Sequence, residues 1–228
     1  MAVAPLNKYL TIAVPVAPGE QTVYTVPTGQ SSILLYAQVA NVGVNTYPTV
    51  TLTHRRKSNS QNTVGNVRNI RIAKNIEVPP NDVVILIDGR LVLEKSAIIT
   101  DSIVLSGVQS GIVSISTCTY DNATGVTTVT TVTPHNFVAG DEVTMSGLAF
   151  TCSSQYAGLT TTIFPSPQKS FVIDYIIEGE SVGTSKTFVT NSGKTIGIAH
   201  TYVSGGQVGP LQMEFICSIL ETNVSGIV

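Results

Sequence analysis

Between Leu211 and Glu221 the side chains alternate with a period of two. Leu211, Met213, Phe215, Cys217 and Ile219 fall on one face. Gln212, Glu214, Ser218 and Leu220 fall on the other, with Ile216 also there. Only an extended strand with one buried face gives that pattern. The rest of the chain repeats the theme in shorter pieces. Ile33 to Ala40 is an apolar run, Thr49 to Thr53 and Arg68 to Ile72 alternate, and Val83 to Ile87, Leu91 to Leu93 and Ser102 to Leu105 are short and apolar. Turn residues separate them: Pro18-Gly19, Pro27-Thr28-Gly29, Pro79-Pro80-Asn81-Asp82 and Asp88-Gly89. Each fixes φ or tolerates positive φ. No long amphipathic helix is visible. Short strands with regular turns predict an all-β chain, a β-sandwich or jelly-roll-like domain.

Composition shifts near residue 118. The following block is richer in Thr, Ser and Gly, opens with the turn Tyr120 to Gly125, and has strand signals at Val126 to Val132, Glu142 to Ser146, Ala149 to Cys152, Phe171 to Ile177 and Thr195 to Tyr202. Ser204-Gly205-Gly206-Gln207 reads as a linker. The strongest strand lies after this block, so a first sheet made from residues 1–117 alone leaves Leu211–Glu221 without a home. The economical arrangement is an insertion: residues 1–117 plus 208–228 form a sandwich, and 118–207 form a second small β domain in one of its loops. Lengthening a loop adds little closure entropy.

Charge is scarce. Of 228 residues, 11% are charged and 43% hydrophobic, with a net charge of −2; an average chain is about 25% charged. A surface so poor in charge fits coverage by protein neighbours and a homo-oligomer; the alternative is a soluble monomer with a Ser/Thr/Asn-rich surface. No run of about 18 uncharged apolar residues occurs, so no membrane span is expected. Met1 to Leu10 is too short and polar for a secretory signal. Cys118, Cys152 and Cys217 are too few and too scattered for a disulfide framework or zinc site. Cys118 and Cys152 could pair in an oxidising place; buried thiols, as in reducing cytoplasm, fit better.

No catalytic constellation appears, no cofactor motif, and no metal pattern among His54, His135 and His200. Asp141-Glu142 are adjacent and would point to opposite strand faces, a poor acid/base couple. The chain is therefore expected not to be an enzyme. One charge feature is uneven. Arg55, Arg56, Lys57, Arg68, Arg71 and Lys74 are half of the twelve Lys and Arg, in a stretch with no carboxylate between Glu20 and Glu77. The later block carries Asp121, Asp141, Glu142, Asp174, Glu178 and Glu180 against Lys169, Lys186 and Lys194, a formal −3. The basic stretch reads as a solvated hairpin, as a protein interface facing an acidic neighbour, or as a contact to nucleic acid phosphate. Nucleic acid ranks last, because the chain is slightly acidic and the stretch has no aromatic platform. As an interface, reversing Arg55, Arg56 and Lys57 to Glu should block assembly and leave the isolated fold intact. Ser58 to Asn66, polar and Asn/Ser-rich, reads as a mobile hairpin tip.

The stretch Tyr24-Thr25-Val26-Pro27-Thr28-Gly29 leading to Gln38-Val39-Ala40-Asn41, then Ile72 to Asp82, Gly89 to Glu94 and Cys217 to Glu221 resemble small β domains of tailed-phage tail and virion proteins. Thr133-Pro134-His135-Asn136-Phe137-Val138-Ala139-Gly140-Asp141, Ala149 to Cys152 and Ile198 to Val203 are similar to a module of virion proteins from marine phages of cyanobacteria. Copies of that module more often carry Gly-Leu after the His, where this chain has Asn-Phe. The resemblance implies a virion structural protein, made in host cytoplasm, associated with tail, neck or baseplate, with other virion proteins as partners. A capsid decoration protein is the nearest alternative. A host-surface glycan-binding module of a tail fibre is another, with Tyr156, Phe164 and Tyr202 as its few aromatic candidates.

Overall fold

Alternation, not composition, decides the local structure: wherever apolar residues recur every second position the chain is extended. The computed structural model describes residues 7–58, 66–152, 170–177, 183–195 and 197–223, and among these there is no helix. The strands are β1 (Asn7–Pro15), β2 (Gly19–Thr25), β3 (Gln30–Asn41), β4 (Thr49–Ser58), β5 (Val67–Glu77), β6 (Val83–Glu94), β7 (Ile99–Val108), β8 (Val113–Tyr120), β9 (Val126–Thr131), β10 (Glu142–Ser146), β11 (Ala149–Cys152), β12 (Ser170–Ile176), β13 (Thr187–Asn191), β14 (His200–Ser204), β15 (Gln207–Pro210) and β16 (Met213–Asn223). They divide into two compact units. Unit 1 is Met1–Val16, Glu20–Gly107 and Gln212–Val228; unit 2 is Ala17–Gly19 and Val108–Leu211.

Unit 1 has two four-stranded sheets, ordered β1-β16-β3-β6 and β2-β7-β4-β5. Their inner faces share one apolar core, with Val14, Leu34, Val39, Leu93, Phe215 and Ile219 from the first sheet and Val23, Leu52, Ile103 and Leu105 from the second. This is a face-to-face sandwich. Strands pair from the ends of the unit inward: first with last (β1, β16), then β2 with β7, β3 with β6, and β4 with β5. Phe215 and Cys217 are buried while Glu214 is exposed, as the alternation requires. Asp88-Gly89, a turn by its residue types, lies inside the continuous strand β6. There the register shifts so that Gly89 and Arg90 face the single residue Leu35 of β3, a bulge that absorbs the extra residue.

Polar side chains also cross the sandwich. Tyr24 Oη on β2 donates to Glu221 Oε1 on β16 at 2.8 Å and lies 2.6 Å from Ser32 Oγ on β3. Burial, with Glu221 beside it, pushes the Tyr24 phenol well up.

Unit 2 is a closed six-stranded barrel, β10-β12-β13-β9-β8-β15, with β11 and β14 as a separate pair. It is therefore not a second sandwich. Val129, Val143, Met145, Ile173, Phe188 and Val208 fill its core. The expected boundaries at 118 and 207 move to 108 and 211, because β8 pairs with β9 and β15, and β15 pairs with β10. Ser204 to Gln207 is a crowded two-residue connection from β14 straight into β15, not a linker between domains. Gly205 (φ 78°) and Gly206 (φ 105°) both need positive φ, and a Cβ on Gly205 would sit 2.7 Å from the Gly147 carbonyl oxygen.

Candidate assembly surfaces

The basic residues lie on β4 and β5, which pair as a hairpin: Arg55 opposite Asn69, Arg56 opposite Arg68, Thr53 opposite Arg71. The hairpin does not present all six charges. Arg55 Nη2 binds Glu20 Oε1 at 2.6 Å. Arg56 turns to the fully buried Asp101, with Nε on Oδ1 and Nη2 on Oδ2, both at 2.8 Å, and Nη2 is 3.2 Å from Glu94 Oε1. The Glu94 amide donates to Asp101 Oδ2 and His54 Nε2 lies 3.1 Å from the same oxygen. Burial alone would raise the Asp101 carboxyl. The Arg56 fork, the Glu94 amide and His54 outweigh it and hold the carboxyl below its usual range. Arg56 thus ties β4 to β7 and β6. Its reversal to Glu would leave Asp101 buried beside another carboxylate, so the expectation that the fold tolerates that change is corrected.

Lys57, Arg68, Arg71 and Lys74 are exposed and take part in no ion pair among the described residues. Arg71 and Lys74 border an open polar depression of about 270 Å³ with Glu20, Thr51 and Asn75. Residues 59–65, most of the expected hairpin tip, lie outside the described residues.

The opposite outer face, on β1-β16-β3-β6, has another character. Antiparallel partners share a face, so the register places outward residues in rows across four strands. One row is Tyr9, Leu220, Ile33 and Val92. Next comes Thr11, Ser218, Tyr36 and Asp88, then Ala13, Ile216, Gln38 and Ile85, then Pro15, Glu214, Ala40 and Val83. Two rows that are apolar apart from Gln38 therefore flank a polar one. Tyr9 is 74% exposed, Val92 60%, Ile85 55% and Val83 47%. An open depression of about 280 Å³ lies between Ala13, Gln38, Ala40 and Ile216. No Lys or Arg occurs in the four rows. The signal for this face was the pair Ile216 and Leu220, apolar on the side of β16 that alternation leaves to solvent.

The remaining residues singled out by sequence are structural or undescribed. His135 stacks on Phe137 at 5.0 Å, with its Nδ1 accepting the Phe137 amide. His200 is buried, its Nδ1 2.8 Å from the Ile198 carbonyl oxygen. Asp141 Oδ2 accepts the Val138 amide. Tyr202 donates to the Gly205 carbonyl and meets Phe150 edge-on. Tyr156 and Phe164 lie outside the described residues. Cys118 and Cys217 are free, buried thiols, each pushed up to about 12 by burial. Among the described residues no group of three or more His, Cys, Asp or Glu could hold a metal.

No family model matches the chain, and no curated protein matches it. Among solved structures the chain is similar to one in the crystal structure of the T13 IBDV viral particle, at 8% identity and a TM-score of 0.29. The match covers 96% of this chain and 39% of that one. At that identity and TM-score the likeness carries no weight for function.

Proposed function

We propose that the chain is a structural protein of a virus particle, in which unit 1 is a jelly roll that docks on neighbouring subunits. The single observation that carries this reading is the uncovered apolar outer face of β1-β16-β3-β6. Large exposed apolar side chains gathered on one face, here in two rows on either side of a polar one, mark an interaction surface rather than a solvated one. The inward pairing of strands is the order of a double-sheet jelly roll, a fold used by capsid and lectin domains alike. Fold alone does not choose between them; the apolar face favours protein partners, and of the three aromatic candidates for a sugar platform the one among the described residues, Tyr202, is half-buried with its hydroxyl engaged. Placement at tail, neck or baseplate, or on the capsid exterior, rests on the sequence resemblance. In this reading the chain carries no catalysis, and the free charges Lys57, Arg68, Arg71 and Lys74 set the register of contacts.

The test is peptide mapping of density-purified particles, with immunogold labelling by an antibody to this chain. Labelled particles with a fixed copy number are expected. A chain abundant in the lysate and absent from particles would overturn the reading.

A further inference from the structure

The outward rows of β1-β16-β3-β6 identify a partner as well as a surface. The strands are about as long as β16, eleven residues. At ~3.4 Å per residue and ~4.8 Å between strands, the face covers about 700 Å². A standard interface buries roughly 800 Å² per partner. The face is therefore large enough for one whole specific contact.

Its pattern is self-complementary. An apolar row, Tyr9 to Val92, and another, Ala13 to Ile85, apolar apart from Gln38, lie on either side of the polar row Thr11, Ser218, Tyr36 and Asp88. Consider a two-fold axis in the plane of contact and parallel to the strands. It lays each row on its own kind. Asp88 of one copy then faces Thr11 of the other, and Tyr36 faces Ser218. An axis running along the polar row would instead set Asp88 against its own copy, a like-charge contact that costs affinity. The four rows hold two carboxylates and no cation, so no strongly charged partner is specified.

We propose that the chain forms a two-fold dimer by packing β1-β16-β3-β6 face to face on the same sheet of a second copy, with the axis parallel to the strands. This deepens the assembly reading by naming the first partner, and it rests on that reading. Such a contact is isologous and closes on itself. The edges β5 and β2 of the other sheet, which pair with no further strand among the described residues, remain available for further neighbours.

The experiment is light scattering of the purified full chain across a wide concentration range. Wild type should give twice the 24.0 kDa chain mass. Ile85→Glu with Val92→Glu should raise the dissociation constant at least tenfold, because the new carboxylates would be buried unpaired against Ala13 and Tyr9 of the other copy. Arg71→Glu with Lys74→Glu should leave it unchanged. A second variant uses only exposed polar positions: Thr11→Cys with Asp88→Cys should be joined between copies by a short thiol cross-linker. A monomer at every concentration overturns the proposal, as does a multimer that survives Ile85→Glu with Val92→Glu, or a dimer in which the cysteine variant is not joined. Loss of Ile85→Glu with Val92→Glu from particles while wild type is monomeric would overturn self-pairing and leave the assembly reading standing.

Discussion

Asp101 shows how one residue can decide a region of the sandwich. Its carboxylate is fully buried and takes both donors of the Arg56 fork and the Glu94 amide. Replacing Asp101 with Asn keeps the size and removes the charge. We expect a loss of about 2–4 kcal/mol in urea unfolding, since one partner of a buried pair is left uncompensated; the half-exposed Arg56 keeps the loss near the lower end. The pH dependence follows from the depressed carboxyl. Its contribution is complete above the unfolded value, near pH 4, and fades as pH falls toward the lower folded value. Thermal melts between about pH 5 and pH 2 should fall steeply for wild type and less steeply for Asp101→Asn. The thiols give a second check at this scale. Cys118 and Cys217, buried and pushed up to about 12, should not react with a thiol reagent at neutral pH until the protein unfolds. Fast labelling of either in native protein would contradict their burial.

Among the elements, the connection at Gly205-Gly206 and the turn at Gly140 separate two costs of positive φ. Gly140 (φ 90°) has nothing within 4 Å of an added Cβ, whereas Gly205 would drive its Cβ against the Gly147 carbonyl. Gly140→Ala should cost about 1 kcal/mol from backbone strain, and Gly205→Ala about 2–3 kcal/mol once the clash is added. Equal shifts in melting temperature would refute the contrast. The same elements show what the residues reveal unaided. The strand β16 was legible because a run from Met213 to Ile219 with one apolar face has no other stable form. Glu142–Ser146 and Ala149–Cys152 were legible for the same reason. The segment 204–207 misled because two glycines serve a flexible joint and a crowded strand-to-strand connection equally well; only the opposing carbonyl at Gly147 tells them apart. Asp88-Gly89 misled because a bulge and a turn use the same residues, and only the partner strand β3 fixes which forms. The six basic residues were visible as a cluster, but not that Arg55 and Arg56 turn to Glu20 and Asp101, since those carboxylates are distant in sequence. The apolar outer face was hidden because its rows exist only once β1, β16, β3 and β6 are side by side.

For the whole molecule, the chain leaves unit 1 after β7 and re-enters it at β16, and the two ends of the excursion lie together: Val113 is opposite Val208 and Ser114 opposite Gln207. Replacing residues 109–210 with a Gly/Ser linker long enough to cross from β7 in one sheet to β16 in the other should therefore leave unit 1 folded, because the excursion starts and ends close together and loop length adds little closure entropy. A cooperative melt with native-like near-ultraviolet circular dichroism would be the expected result; a molten chain would show that unit 1 depends on the barrel. The order of strands also has a consequence in time. In its sheet β16 is an interior strand, flanked by β1 and β3, yet it is the last of the described strands to leave the ribosome. Until it emerges, β1 and β3 hold an empty slot between two unsatisfied edges, the condition under which nascent β proteins stick to one another. The barrel needs nothing beyond Leu211 and can finish first. Maturation therefore runs from the middle of the chain outward, and the face on β1, β16, β3 and β6 cannot exist until synthesis of β16 is complete, so subunits with β16 still unmade have no such face to join by.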